Sequence, residues 1–186
     1  MNLLSLWPRR RVPMILQSEA AECGLACLAM VASAHGHDTD LLTLRRRFEM
    51  SSRGATLGRL MQIADQMGLA NRALRLELEE RPQLQVPCIL HWDLNHFVVL
   101  KAVAPGHIVV LDPAFGERKL SLDEASRHFT GVALEAWPNP GFAPREEKTR
   151  VRLTQLIGQV SGFWPTLSQV LLLSLAVGAW RGLVYE

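Results

Sequence analysis

Three cysteines (Cys23, Cys27 and Cys88) and six histidines are the side chains here that could carry nucleophilic chemistry. Cys23 opens the stretch Glu22–Ala34, where Cys23, Ala26, Cys27, Met30, Val31 and Ala34 recur at i, i+3, i+4 spacing. That period predicts a helix with one packed face, and Gly36 suits its stop. The first turn of a helix leaves backbone N–H groups unpaired and presents the positive end of its dipole, an environment that stabilises a thiolate. Gly24 follows directly and leaves room for a substrate backbone. Cys27, one turn later, points into the packed face and reads as a structural thiol. An odd number of cysteines with no secretory signal before them implies reduced thiols in a reducing compartment.

A nucleophilic thiol needs a base. His96 opens the strand-like run Phe97-Val98-Val99-Leu100, and a sheet fixes an imidazole more rigidly than a loop. Trp92, Asp93 and Asn95 crowd the mouth of that strand. His35, His37, His107 and His128 lie in polar turn contexts and read as solvated surface residues. His91 alternates with buried positions and reads as a satisfied core histidine. The imidazole needs an acceptor on its other nitrogen. Asp112 ends the next predicted strand, Ile108–Leu111. A hairpin through Ala104–His107 would return it toward His96, although an aspartate after a strand is also an ordinary turn residue. Gln17, in the loop before the helix, could add a side-chain NH2 to the Cys23 N–H as oxyanion donors. Glutamine loop, cysteine helix, then histidine and aspartate on consecutive strands is the papain-like order of parts.

The remaining patterns supply the elements that must hold these residues. Asp38 or Thr39 is the expected cap of a second helix running to Phe48, and Thr56 that of a third reaching Met67, ended by Gly68. From Asn71 the period changes: Leu74, Leu76 and Leu78 alternate with charged residues. Pro87–His91, Phe97–Val103, Ile108–Leu111 and Val132–Trp137 read as strands, with a short helix over Ser121–Phe129. Helices first and an antiparallel sheet afterwards make an α+β domain over residues 13–137. Residues 1–12 form a basic arm, and 138–152, rich in proline and charge, a linker.

No charged residue occurs between Arg152 and Arg181, and the apolar run at 163–180 reaches the lower length of a membrane-spanning helix. Arg145, Lys148, Arg150 and Arg152 precede it, so the positive-inside rule places the N-terminal domain in the cytoplasm. A formal charge of +2 with dispersed basic residues gives no footprint for nucleic acid.

The segment Gln17-Ser-Glu-Ala-Ala-Glu22-Cys23-Gly24-Leu-Ala26-Cys-Leu28-Ala-Met30 resembles the cysteine motif of the peptidase domain of bacteriocin-processing ABC transporters, the colicin V exporter type above all. His96-Phe97-Val98-Val99-Leu100 with Asp112-Pro113 resembles that family's histidine motif and aspartate, and Ser52-Arg53-Gly54-Ala55-Thr56-Leu57 also looks like family sequence. The resemblance implies a papain-like cysteine endopeptidase that cuts leader peptides after a double glycine while the mature peptide is exported. It makes Cys23 the nucleophile, His96 the base and later acid, Asp112 the orienter and Gln17 the oxyanion donor. Trp92 is expected as a wall of the narrow cleft such specificity needs, and the leader is expected to dock as an amphipathic helix on an apolar patch. No cofactor or metal is implied. The partners implied are the leader peptide of a bacteriocin precursor, the bacterial inner membrane, and the remainder of an ABC exporter dimer, of which 163–180 would be the first membrane helix.

Such exporters continue into further membrane helices and a nucleotide-binding domain. No G-x-x-x-x-G-K loop occurs here, so the chain is expected to be a fragment, a truncated gene product or a free-standing peptidase without ATPase activity. Three rival readings compete: a silent peptidase-like module that only docks cargo, a metal site of Cys23, Cys27 and His96 lacking an evident fourth ligand, and a papain-like amidase or acyltransferase with another substrate.

Overall fold

A computed structural model describes residues 11–48, 51, 54–76, 84–147 and 163–184. The expectations that fall on residues 1–10, on Ser52 and Arg53, on Leu78 and on 148–152 lie outside these residues. The chain divides into two compact units, Met1–Thr149 and Arg150–Glu186.

The first unit opens with a 3₁₀ turn, Ala20–Glu22, running straight into α1, Cys23–Ala34. All twelve residues of α1 are buried, so the helix has no solvent face and the one-face reading gives way to all-round packing. Small residues make this possible: Gly24, Ala26, Ala29, Ala32, Ser33 and Ala34 let neighbours approach on every side. Leu25, Leu28 and Met30 are each fully buried, and removal of such side chains from water contributes about 1.5–3 kcal/mol apiece.

Gly36, at φ +97°, turns the chain into β1, His37–Thr39. Here the structure departs from expectation. Asp38 and Thr39 do not cap the second helix, because they are paired in parallel with Glu146 and Glu147 of β8, Arg145–Glu147. The cap is Asp40, whose carboxylate accepts the Thr43 N–H at 2.7 Å at the start of α2, Leu41–Arg47. Thr56 caps α3, Leu57–Gln66, by accepting from the Arg59 N–H.

Six antiparallel strands follow: β2 (Leu69–Arg75), β3 (Cys88–Trp92), β4 (His96–Ala104), β5 (His107–Asp112), β6 (Gly116–Ser121) and β7 (Phe129–Pro138), in the order β2-β7-β3-β4-β5-β6. The short helix α4, Leu122–His128, is capped by Ser121. One face of the sheet packs its Ile89, Phe97, Val99, Leu111 and Leu134 against α1, α2 and α3. The other packs Cys88, Leu90, Trp92, Val98 and Val110 with Ala125 of α4. The α+β class with an antiparallel sheet is thus observed, and α1 lies where it can meet the edges of β4 and β5.

β6 has no counterpart among the expected strands. Its residues Gly-Glu-Arg-Lys-Leu-Ser place only Leu120 in the core, and it is the outermost strand, so one face stays charged. The segment 138–147, read as linker, contains β8, and Phe142 beside it packs on the first core. His37, read as a surface residue, is wholly buried by that return: its Nε2 lies 2.9 Å from Glu147 Oε2. Burial lowers its pKa from the ordinary histidine value, against the pull of Glu147.

The second unit contains α5, Phe163–Val184. Trp164, Val170, Leu171, Leu172, Leu173, Leu175, Val177 and Trp180 along it are all at least 60% exposed. Among the described residues, no helix is long and apolar enough to cross a membrane.

Candidate active site

Cys23 is the first residue of α1, only 4% exposed, with a free thiol. His96 is the first residue of β4 and pairs with Trp92 across the β3–β4 hairpin. β4 and β5 form the expected hairpin, paired from Val99–Leu111 to Ala104–His107 with a register shift between Leu100 and Ala102. That register carries Asp112 back beside His96, and Asp112 Oδ1 lies 2.8 Å from His96 Nε2. Nε2 is thereby engaged, which leaves Nδ1 as the nitrogen for the hydrogen bond between His96 and Cys23. Thiol, imidazole and carboxylate form one chain across the helix–sheet junction.

The electrostatics follow from this chain. Burial works to lower the His96 pKa, but hydrogen bonds to Asp112 and Cys23 and the nearby negative charge outweigh it and raise it to about 9. Burial works to raise that of Asp112, yet its hydrogen bond to His96 and the Ala114 N–H at 2.9 Å leave it lowered. Such a site favours a protonated imidazole beside an anionic partner, which is the form that protonates a leaving amine. Cys27 differs: complete burial raises its pKa well above the ordinary thiol value, as burial also does for Cys88, so both behave as inert core thiols.

Gln17 lies in the loop before α1, and its backbone N–H donates to the Pro113 carbonyl at 2.9 Å, directly after Asp112. Its Oε1 is buried and has no hydrogen-bond partner among the described residues. Gly24 is buried, and a Cβ there would meet Leu60 Cδ2 at 2.8 Å and Ala55 Cβ at 3.4 Å. The close approach at Gly24 is therefore with α3 and the loop before it. Overpacking of this kind costs about 1–3 kcal/mol, against about 1 kcal/mol of helix propensity gained. Gly24→Ala should accordingly lower unfolding free energy by up to about 2 kcal/mol, seen as a lower urea midpoint. An unchanged or higher midpoint would mean that Leu60 yields freely.

Trp92 stands in the second core, 2% exposed, with its ring stacked on His128 at 5.5 Å. Buried there, it presents no open wall to a cleft. His128 in turn holds Asp93 at 2.7 Å, so it is a turn clamp and not a merely solvated residue. His91 is half-buried and satisfied by Thr130 Oγ1 at 2.7 Å.

One residue beside the thiol escapes any reading of spacing. The Glu22 side chain is 7% exposed, its Oε2 accepts the N–H groups of Ser18 and Glu19 at 3.1 Å each, and its Oε1 pairs with Arg45 of α2. The signal available in sequence was an acid directly before Cys23 and an arginine run at 45–47.

A helix-borne thiol linked through a sheet-borne histidine to an aspartate is the arrangement of a cysteine peptidase domain. The chain belongs to the Peptidase C39 family, which residues 11–141 match. It is 51% identical over 178 residues to the colicin V secretion/processing ATP-binding protein CvaB of Escherichia coli, and 48% identical to the probable microcin-H47 secretion/processing ATP-binding protein MchF of the same organism. Each match covers 96% of this chain but 26% of the relative, so the chain spans about a quarter of their length. Among solved structures, a double glycine motif protease from an AMS/PCAT transporter, in complex with the leader peptide, is 36% identical with a TM-score of 0.66, covering 72% of this chain and 96% of its own. The peptidase domain of Streptococcus ComA shares the fold at 23% identity and a TM-score of 0.64.

Proposed function

We propose that this domain removes double-glycine-type leaders from bacteriocin or microcin precursors in step with their export. The connected chain Cys23–His96–Asp112 carries the reading. The Cys23 thiolate attacks the carbonyl carbon of the second glycine, and the Cys23 N–H and the Gln17 side-chain amide receive the developing oxyanion. His96 passes its proton to the leaving amine of the mature peptide, which departs and leaves a thioester on Cys23. Water then loses a proton to His96 and attacks the thioester, freeing the leader carboxylate and restoring the Cys23 thiolate beside the protonated His96. Asp112 holds the imidazole in the required orientation throughout.

Leu16, Leu94 and Phe115 lie next to Gln17 or within three residues of His96 or Asp112, and are 59%, 81% and 76% exposed. This apolar character around the site supports an amphipathic leader as substrate. The exposed apolar surface of α5, and the processing exporters among the relatives, support a place for 163–180 as the first membrane helix of such an exporter, with the peptidase domain facing the cytoplasm.

The test is a precursor peptide carrying a Gly-Gly junction, incubated with the domain and read by mass spectrometry. Expected is one cut after the second glycine, and none when both glycines are changed to valine. Equal cleavage of the valine peptide would overturn the double-glycine reading.

A further inference from the structure

We infer that Glu22, neutralised by Arg45, is a positioning residue that fixes the oxyanion loop onto the start of the nucleophile helix; this rests on the proposed role of Gln17. Residues 17–19 lead from Gln17 into the 3₁₀ turn Ala20–Glu22 and Cys23, and no helix or strand of their own fixes their position. The loop is instead tied down at two places. The Gln17 N–H is held by the Pro113 carbonyl, next to Asp112. The following two N–H groups, of Ser18 and Glu19, converge on a single carboxylate oxygen of Glu22. The loop is therefore referenced both to the sheet that bears His96 and Asp112 and to the residue joined covalently to Cys23.

A buried carboxylate at this point has a cost. It lies next to a thiol that must become an anion, and a second unpaired negative charge there would oppose that ionisation. Arg45 removes the difficulty by pairing with the other Glu22 oxygen from the last turn of α2. The division of labour between the two oxygens makes the assignment testable, because glutamine cannot reproduce it. The amide introduced by Glu22→Gln can turn its oxygen to the loop N–H groups or to the guanidinium, but its NH2 then faces donors on the other side.

Misplacement of a catalytic group by about 1 Å can cost about a hundredfold in rate. Glu22→Gln should lower kcat about 10- to 100-fold with little change in KM, and Arg45→Met should shift kcat in the same direction by less. The decisive comparison is a double-mutant cycle on a Gly-Gly leader peptide with wild type, Gln17→Ala, Glu22→Gln and the double variant. If Glu22 acts through Gln17, the double variant is no slower than Gln17→Ala alone. Alkylation of Cys23 by iodoacetamide, which needs no oxyanion hole, should remain within about threefold of wild type. Multiplication of the two losses in the double variant, or an unchanged kcat in Glu22→Gln, would overturn the assignment. Should Glu22→Gln fold poorly, Arg45→Met in the same cycle decides by the same criterion. Failure of the underlying reading is seen separately: a wild type that leaves the leader uncut, or a Gln17→Ala variant as fast as wild type, removes the oxyanion role and this assignment with it.

Discussion

Replacing Cys23 with alanine is expected to abolish leader cleavage, whereas Cys27→Ala and Cys88→Ala keep turnover within a fewfold of wild type. Loss of the nucleophile from a unit of coupled groups costs about a millionfold, which lies below detection in a single-turnover assay. The contrast among the three thiols is set by placement. Cys23 is hydrogen-bonded to His96 at a helix start, while Cys27 and Cys88 are wholly enclosed in the two cores. Truncation of Cys27 leaves a small cavity beside α1, so a modest loss of stability is expected there without loss of rate. Cleavage lost equally in Cys27→Ala, with the fold retained by circular dichroism, would move the nucleophile to the other thiol.

Asp112→Asn is the second large effect. On the proposed mechanism the carboxylate orients His96, and together with Cys23 it raises the pKa to about 9, so its removal should reduce kcat/KM by on the order of 100-fold and move the alkaline limb downward. In wild type, kcat/KM should fall as pH rises past about 9, where the imidazolium loses the proton it must give to the leaving amine. In Asp112→Asn that fall should begin nearer the ordinary histidine value of 6.5. The same shift has a stability counterpart whose sign is fixed. A histidine pKa raised on folding adds stability that is full below 6.5 and is lost as pH climbs to about 9. Asp112, with its pKa lowered, contributes stability that is lost as pH falls toward the acid range. Melting temperature should thus decline more steeply between pH 6.5 and 9 in wild type than in Asp112→Asn. Superimposable pH profiles, in height and midpoint, would reduce Asp112 to a turn residue and leave Asp93 or Asn95 to be tested as orienter.

Sequence patterning was most informative where one physical signal acted alone. Short runs rich in Val, Ile and Leu marked β3, β4 and β5, and a hairpin through Ala104–His107 was the expectation that brings Asp112 to His96. Where two signals competed, patterning misled. Helical spacing in α1 suggested one buried face, but its abundance of small residues was the stronger fact and permits burial all round. Gly24 looked like space for a substrate, whereas its missing Cβ accommodates Leu60. Polar composition hid β6, because an outermost strand needs only one inward side chain. It also hid the enclosure of His37 and the strand at Arg145–Glu147, since these depend on a partner more than a hundred residues away, beyond the reach of any local window. Trp92 was placed correctly next to His96 along the hairpin, but proximity along a strand does not determine which core an indole enters.

The parallel pairing of β1 with β8 has a mechanical consequence. β8 is fastened to β1, and β1 follows the end of α1 after only His35 and Gly36. A load applied along β8 would put this short ladder in shear, and the contact of His37 with Glu147 reinforces it. What yields or resists at this anchor is transmitted to the far end of the rod whose opposite tip is Cys23.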